Sequence, residues 1–124
     1  MKLELKLAVT PPLLHRPEEL VARGTFINIG PEPLRFSRVA VSAPSLALMV
    51  RRVGGDLVRL PPPPVPYPSE RPGDYVVLAP GAVHSEVYQG FLPQPLAPGN
   101  YEIRLRYRDG DADLSSEWEV FTCV

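Results

Sequence analysis

Three aspartates at alternate positions are the residues of this chain best suited to binding a metal ion. Asp109, Asp111 and Asp113 supply hard carboxylate oxygens, which Ca²⁺ prefers in proteins. An EF-hand loop would also carry a glycine and a glutamate at the places that Leu114 and Val120 occupy here. Acidic residues are also common in polar hairpin turns. The pattern leaves a calcium site and an ordinary turn open as alternatives, and we expect no other cofactor.

The residue types that serve nucleophilic catalysis are sparse. The chain contains two histidines, His15 and His84, and one cysteine, Cys123. None of them stands in the spacing of a recognisable nucleophile or zinc motif. Gly54 and Gly55 belong to a hairpin turn and precede no helix, so they do not form a phosphate-binding loop. We therefore expect no catalytic residues and no enzyme activity.

Three arginines share one face of an expected strand over residues 101–108, where apolar and charged residues alternate. Folding this strand against the next one about a centre between residues 111 and 112 predicts four facing pairs: Leu105 with Trp118, Ile103 with Val120, Arg106 with Glu117, and Arg104 with Glu119. This register predicts a core position for Trp118 and a charge-paired outer face. A basic stripe of Arg104, Arg106 and Arg108 that receives an acidic partner or a phosphate group is the alternative.

The elements that position these residues are all expected to be strands. Seventeen prolines and nine glycines disfavour helices, and period-two alternation is clear near both ends of the chain. We expect strands over residues 3–9, 20–29, 34–41, 46–50, 57–60, 74–78, 83–88, 101–108 and 117–122. The pattern predicts one domain over residues 1–124, an immunoglobulin-like antiparallel β-sandwich of about seven to nine strands with proline-rich loops. An up-and-down barrel is the alternative.

Two segments are candidates for binding a protein partner. The expected strand over residues 46–50 is apolar on both faces, so either a loop or another chain must cover Leu46, Leu48 and Met49. Residues 60–68 hold six prolines and predict a stiff, extended polyproline segment. This segment is either a rigid crossing between strands or a ligand for a proline-recognising partner through Pro62, Pro63, Pro64 and Tyr67.

Charge and composition argue against several classes of partner and location. The net charge is -1 with no long block of one sign, which disfavours binding to nucleic acid or to anionic membranes. No stretch has the roughly 18 apolar residues that a membrane span requires. The amino terminus alternates charge with leucine, unlike a signal peptide. A single cysteine fits a reducing compartment, so we expect a cytoplasmic protein.

Two stretches resemble known families. Residues 26–34, Phe-Ile-Asn-Ile-Gly-Pro-Glu-Pro-Leu, resemble the Asn-x-Gly turn of bacterial immunoglobulin-like domains, including those similar to the intracellular proteinase inhibitor family. Residues 78–81 (Leu-Ala-Pro-Gly) and 96–103 (Leu-Ala-Pro-Gly-Asn-Tyr-Glu-Ile) are similar to paired segments of the same families. The resemblance implies an immunoglobulin-like sandwich and, for function, protease inhibition, and it identifies no inhibitory residue here.

The sequence thus predicts a non-enzymatic, immunoglobulin-like protein-interaction module, with a protein partner or self-association through loops or a strand edge. The alternative is an intracellular protease inhibitor that presents a rigid proline-rich loop, residues 60–68 or 92–98. Sugar binding is a further alternative, because Tyr67, Tyr75, Tyr88 and Trp118 could supply a stacking platform.

Overall fold

The computed structural model describes residues 2–37, 46–58, 75–92, 95–109 and 112–124. Within them the chain forms eleven strands and one short 3-10 helix, Pro17–Glu19. The strands are β1 (Leu3–Thr10), β2 (Leu13–Leu14), β3 (Val21–Asn28), β4 (Leu34–Ser37), β5 (Leu46–Arg52), β6 (Leu57–Val58), β7 (Tyr75–Leu78), β8 (Val83–Gln89), β9 (Gly99–Asp109), β10 (Ala112–Ser115) and β11 (Glu119–Cys123). The prediction of an all-β protein is confirmed. The described part of the chain contains no helix long and apolar enough to cross a membrane.

The smaller of the two sheets that enclose the core is antiparallel, in the order β1-β3-β8. The alternation expected for β1 explains its burial: Leu3, Leu5 and Leu7 are buried, whereas the residues between them are exposed. In β3 and β8 the same face carries Phe26 and Tyr88, which are also buried. One face of this sheet is therefore apolar and faces inward.

The larger sheet has the order β2-β11-β9-β5-β6, and β10 also pairs with β9. Its inner face adds Val50, Ile103, Leu105 and Phe121 to the core, each no more than 1% exposed. Because β5 pairs with both β9 and β6, it is an interior strand. A separate two-stranded sheet pairs β4 with β7.

Gly24 allows the two large sheets to approach each other. A Cβ atom at this position would lie 3.0 Å from Leu105 Cδ2, which belongs to the opposite sheet. It would also lie 3.2 Å from the Tyr88 ring, on the neighbouring strand. These distances are shorter than an ordinary carbon–carbon contact, so only glycine fits without movement of its neighbours.

Asn28 fastens the end of β3 to the turn between β7 and β8. Its side chain is 1% exposed, and its Nδ2 donates hydrogen bonds to the carbonyl oxygens of Glu32 (2.7 Å) and Leu78 (3.0 Å). Its Oδ1 accepts a hydrogen bond from the Gly30 amide at 3.0 Å. A buried amide that is bonded in this way fixes the turn after β3, which contains the Asn-x-Gly motif, and ties this turn to the end of β7.

The pairing of β9 with the strands after it differs from the register expected from the sequence. Arg106 lies opposite Ser115, not Glu117, and Ile103 lies opposite Glu119. Between these pairs, Ser116 occupies the place opposite Leu105, where its amide donates to the Leu105 carbonyl and its Oγ accepts from the Leu105 amide, both at 2.8 Å.

Two residues, Glu117 and Trp118, are then left opposite the single residue Arg104. This arrangement of two residues against one is a β-bulge. The extra residue reverses which side chains face inward, because successive side chains of a strand point to opposite faces. Before the bulge, Leu114 packs against the core, whereas after it Phe121 does. Trp118 therefore does not face Leu105, and the prediction that it lies in the core is wrong.

Candidate functional site

The outer surface of the larger sheet carries a group of charged side chains around one tryptophan. It lies on β5, β9, β10 and the bulge, on the side of the sheet away from the core. We call this surface the arginine face; its residues are Arg51, Glu102, Arg104, Arg106, Arg108, Asp113 and Trp118. Period-two alternation puts the residues of β9 there, and the bulge adds the tryptophan.

Trp118 is held by two arginines. The guanidinium carbons of Arg51 and Arg104 lie over its ring, 4.0 Å and 4.6 Å from the ring centroid. Each such cation–π contact contributes roughly 0.5–2 kcal/mol, depending on how far the pair is removed from solvent. The Trp118 side chain is partly buried, so one part of it packs on the arginines and the rest remains accessible.

Two carboxylates hold two of the arginines of the face in place. Arg51 Nε donates to Glu102 Oε1 at 2.5 Å. Arg106 binds Asp113 through two bonds, Nε to Oδ1 at 2.9 Å and Nη2 to Oδ2 at 2.7 Å. The Arg106 hydrogen bonds lower the pKa of Asp113, and the charge of Arg108 adds to this effect. Bidentate pairs of this kind fix the orientation of the guanidinium plane.

Glu102 and Asp113 are the carboxylates that pair with the arginines, in place of the expected Glu117 and Glu119. Glu117 and Glu119 do not face Arg106 and Arg104, because the bulge turns both glutamates toward the seam between the sheets, beside β1. The face then has four arginines and two carboxylates, a formal charge of +2. Arg104 Nε is buried without a hydrogen-bond partner among the described residues. The face is therefore more positive than the sequence register predicts, and it suits an anionic ligand.

The aspartates expected to bind calcium are not gathered into a cluster that the structure describes. Asp109 ends β9, and Asp111 lies outside the described residues. Asp113 directs both of its oxygens to Arg106. The described residues hold no group of three or more His, Cys, Asp or Glu side chains placed for a metal ion. Calcium binding stays a prediction.

The segments expected to bind a partner are only partly described. Leu48 is 3% exposed, so it is not available to a partner, and the expectation for this side chain is corrected because Leu48 lies opposite Leu105 on the face of the sheet that packs in the core. Met49 is partly buried and stands opposite Arg104, and Leu46 begins β5. The proline tract, residues 60–68 with Pro62, Pro63, Pro64 and Tyr67, lies outside the described residues.

The histidines and the cysteine lie in two different places. His15 and Cys123 line one shallow depression of about 60 Å³ beside the short 3-10 helix. Burial raises the pKa of the Cys123 thiol, which disfavours the reactive thiolate. His84 is on β8, with its Nε2 2.8 Å from Glu86 Oε1. His15 and Cys123 therefore line the same depression, where burial favours the protonated thiol.

The second proline-rich loop is fastened to the sheets. Leu92 is buried, and Leu96 packs against the core. The carbonyl oxygen of Ala97 accepts a hydrogen bond from Tyr101 (2.8 Å), and that of Pro98 accepts one from Arg52 (2.9 Å). Residues 93–94 lie outside the described residues. Inhibition of a protease by this loop or by the proline tract stays a prediction.

Among the tyrosines proposed for sugar stacking, Tyr88 does not assemble with Trp118. Tyr88 faces the core and is 7% exposed, whereas Trp118 is on the outer face of the other sheet. Tyr67 lies outside the described residues.

The sequence argument missed Arg51 and Glu102 as residues of the arginine face. Their outward positions on two strands were the available signal, but only the pairing of β5 with β9 brings them together.

Comparisons with protein-family models and with curated proteins found no match for this chain.

Proposed function

We propose that this chain is a non-enzymatic, immunoglobulin-like protein-interaction module of the cytoplasm, and that its arginine face binds an acidic segment of a partner protein. The observation that carries the proposal is the pair of arginines stacked on Trp118 in a face of net positive charge. The two sheets that enclose one core and the motifs at residues 26–34 and 96–103 support the immunoglobulin-like assignment.

The residue types of this face are those that contribute most to protein interfaces. Tryptophan and arginine are enriched among the few residues that carry most of the binding energy. Here Glu102 and Asp113 already orient Arg51 and Arg106. A preorganised side chain loses less rotamer entropy on binding, so more of its contact energy appears as affinity.

The arrangement also indicates the form of the ligand. Arg104, Arg106 and Arg108 occupy every second position of β9, so their side chains follow one another at the spacing of an extended chain. Arg104 forms no ion pair with a carboxylate of the described residues, so its charge is available to attract one from a ligand. An extended segment with acidic residues at alternate positions matches this pattern of charge.

The proposal is tested with a synthetic peptide in which glutamate alternates with threonine. Trp118 is the only tryptophan, so its fluorescence reports from this face alone. We expect the peptide to change the Trp118 emission, and we expect the affinity to fall as salt rises toward physiological ionic strength. A peptide with glutamine in place of glutamate should leave the Trp118 emission unchanged.

A matched pair of variants locates the contact. Arg104→Gln should weaken binding of the glutamate peptide by roughly tenfold, equivalent to about 1.4 kcal/mol. Arg23→Gln removes the same charge from an exposed site on the other sheet and should leave the affinity unchanged. Circular dichroism confirms that both variants are folded. Equal affinities of the two variants, or no response of Trp118 to the peptide, would refute the proposal.

A further inference from the structure

Strand β1 has one unpaired edge in the described structure. The Ile29 amide donates to the Lys2 carbonyl at 2.9 Å, so these two residues form a hydrogen-bonded pair of the antiparallel ladder. Such pairs alternate along a ladder, which means that the backbone groups of Glu4, Lys6 and Ala8 also point to β3. The backbone groups of the residues between them, Leu3, Leu5, Leu7 and Val9, point to the opposite edge, where no described strand pairs with them.

This edge opens into a groove between the two sheets. The groove has a volume of about 360 Å³ and runs between β1 and residues 117–119, which extend from the bulge to the start of β11. Leu5 and Leu7 supply its apolar floor on one side, and Glu117 and Glu119 line the other side. An unpaired strand edge beside a groove is the geometry used when an extended peptide adds a strand to an existing sheet.

The charges of the groove select the kind of peptide. Three glutamates and one lysine line it, and the lysine, Lys6, lies 4.0 Å from Glu4. Glu117 and Glu119 form no ion pair with any residue that the structure describes. The groove is therefore negatively charged, opposite in sign to the arginine face.

We propose that this groove binds an extended, basic segment of a partner protein, which adds to the β1 edge as a further strand and directs lysine or arginine side chains to Glu117 and Glu119. The backbone of Leu5 and Leu7 supplies the hydrogen bonds, and the two glutamates supply the preference for a cationic segment. This site is separate from the arginine face, and it can be present whether or not the acidic segment binds there.

Amide hydrogen exchange measured by NMR provides the first test, with a peptide in which lysine alternates with valine as the probe. Strand addition should slow exchange at the Leu5 and Leu7 amides, which face the open edge. The Glu4 and Lys6 amides are already bonded to β3 and should change little, so β1 contains its own control. Binding without protection of Leu5 and Leu7, or no binding of the lysine peptide, would overturn the proposal.

Two complementary N-methylated peptides separate strand addition from simple charge attraction. One carries methyl groups on the odd-numbered amides and the other on the even-numbered amides, so both have the same charge. Only one set of amides can face β1, because the backbone groups of a strand alternate between its two edges. We expect one peptide to lose binding and the other to keep it, and equal affinities would contradict strand addition.

Paired substitutions test the role of the two carboxylates. Glu117→Gln with Glu119→Gln should weaken binding of the lysine peptide by roughly tenfold, since two exposed ion pairs are lost. Glu18→Gln with Glu32→Gln makes the same change in net charge at exposed positions outside the groove, and it should leave the affinity unchanged. The same loss in both double variants would show that net charge alone attracts the peptide.

Discussion

Two buried tyrosines, one on each large sheet, differ in whether the hydroxyl has a hydrogen-bond partner, and this difference can be tested. Tyr88 is 7% exposed and Tyr101 is 4% exposed, so both rings lie in the core. The Tyr101 hydroxyl donates a hydrogen bond to the Ala97 carbonyl at 2.8 Å. The Tyr88 hydroxyl is buried without a hydrogen-bond partner among the described residues. Removal of the same oxygen atom should therefore have opposite effects at the two sites.

We expect Tyr88→Phe to raise the free energy of unfolding by about 1 kcal/mol, because an unsatisfied buried hydroxyl carries a desolvation cost of this order or more. Tyr101→Phe should lower it by about 1 kcal/mol, the usual net contribution of one hydrogen bond. The ring stays in place in both variants, so packing is nearly unchanged. The expected difference between the two variants is about 2 kcal/mol.

The pH dependence of stability gives an independent check on Tyr88. Burial raises the pKa of its hydroxyl, and the charge of Glu86 adds to this effect. In the unfolded chain a tyrosine ionises near pH 10, whereas the folded protein retains the proton at that pH. Because the pKa of Tyr88 is higher in the folded protein than in the unfolded chain, ionisation of this tyrosine does not reduce the free energy of unfolding below pH 10. Above pH 10 the free energy of unfolding falls by up to about 1.4 kcal/mol per pH unit. Tyr88→Phe should lose less stability between pH 9 and pH 11 than the parent chain.

Urea unfolding followed by far-ultraviolet circular dichroism measures both effects. The free energy of unfolding is determined at pH 7 for the parent chain, Tyr88→Phe and Tyr101→Phe, and again at pH 9 and pH 11 for the first two. If Tyr88→Phe destabilised the protein as much as Tyr101→Phe does, the Tyr88 hydroxyl would have to be hydrogen-bonded in the native state. The argument from its burial would then be refuted.

Two further substitutions test the bulge and the contact between the sheets. Ser116→Ala leaves the buried Leu105 amide without its acceptor and should lower the free energy of unfolding by about 1–3 kcal/mol, while Ser115→Ala at the exposed neighbouring position should change it little. No difference between these serine variants would show that Ser116 Oγ does not hold the bulge. Gly24→Ala places a Cβ atom 3.0 Å from Leu105 Cδ2 and should destabilise by about 1–3 kcal/mol in urea unfolding, with partial rescue by Leu105→Val. A Gly24→Ala protein more stable than the parent would contradict the close approach of the sheets.

The sequence predicted the strands well where the information is local. Alternation of leucine with charged residues predicts β1, and the glycines at positions 54 and 55 predict the turn between β5 and β6. The expected strand over residues 20–29 corresponds to β3, Val21–Asn28. In each case the pattern repeats over a few consecutive residues, and side-chain burial follows directly from it. The order of the strands depends on contacts far apart in the chain, which no local pattern contains.

The register after β9 could not be predicted for a related reason. Period-two alternation indicates which residues share a face only while the pairing continues without interruption. Ser116 interrupts the pairing because its side-chain Oγ accepts a hydrogen bond from the Leu105 amide. Nothing in the spacing of the neighbouring residues marks this serine as different from Ser115. Charge pairing then misled the prediction, because Glu117 and Glu119 have the same two-residue spacing as the arginines of β9 and would face them in an uninterrupted hairpin.

The same bulge produces both candidate binding surfaces. If the pairing of β10 with β9 continued unchanged, Trp118 would stand opposite Ile103 and point into the core, and Glu119 would stand opposite Glu102 on the outer face. The extra residue exchanges these positions, so the tryptophan joins the arginines and Glu119 turns to the groove beside β1. One insertion thus makes the outer face more positive and the groove more negative. A variant that removes the bulge should impair both binding activities together, whereas Arg104→Gln should impair only binding of the acidic peptide.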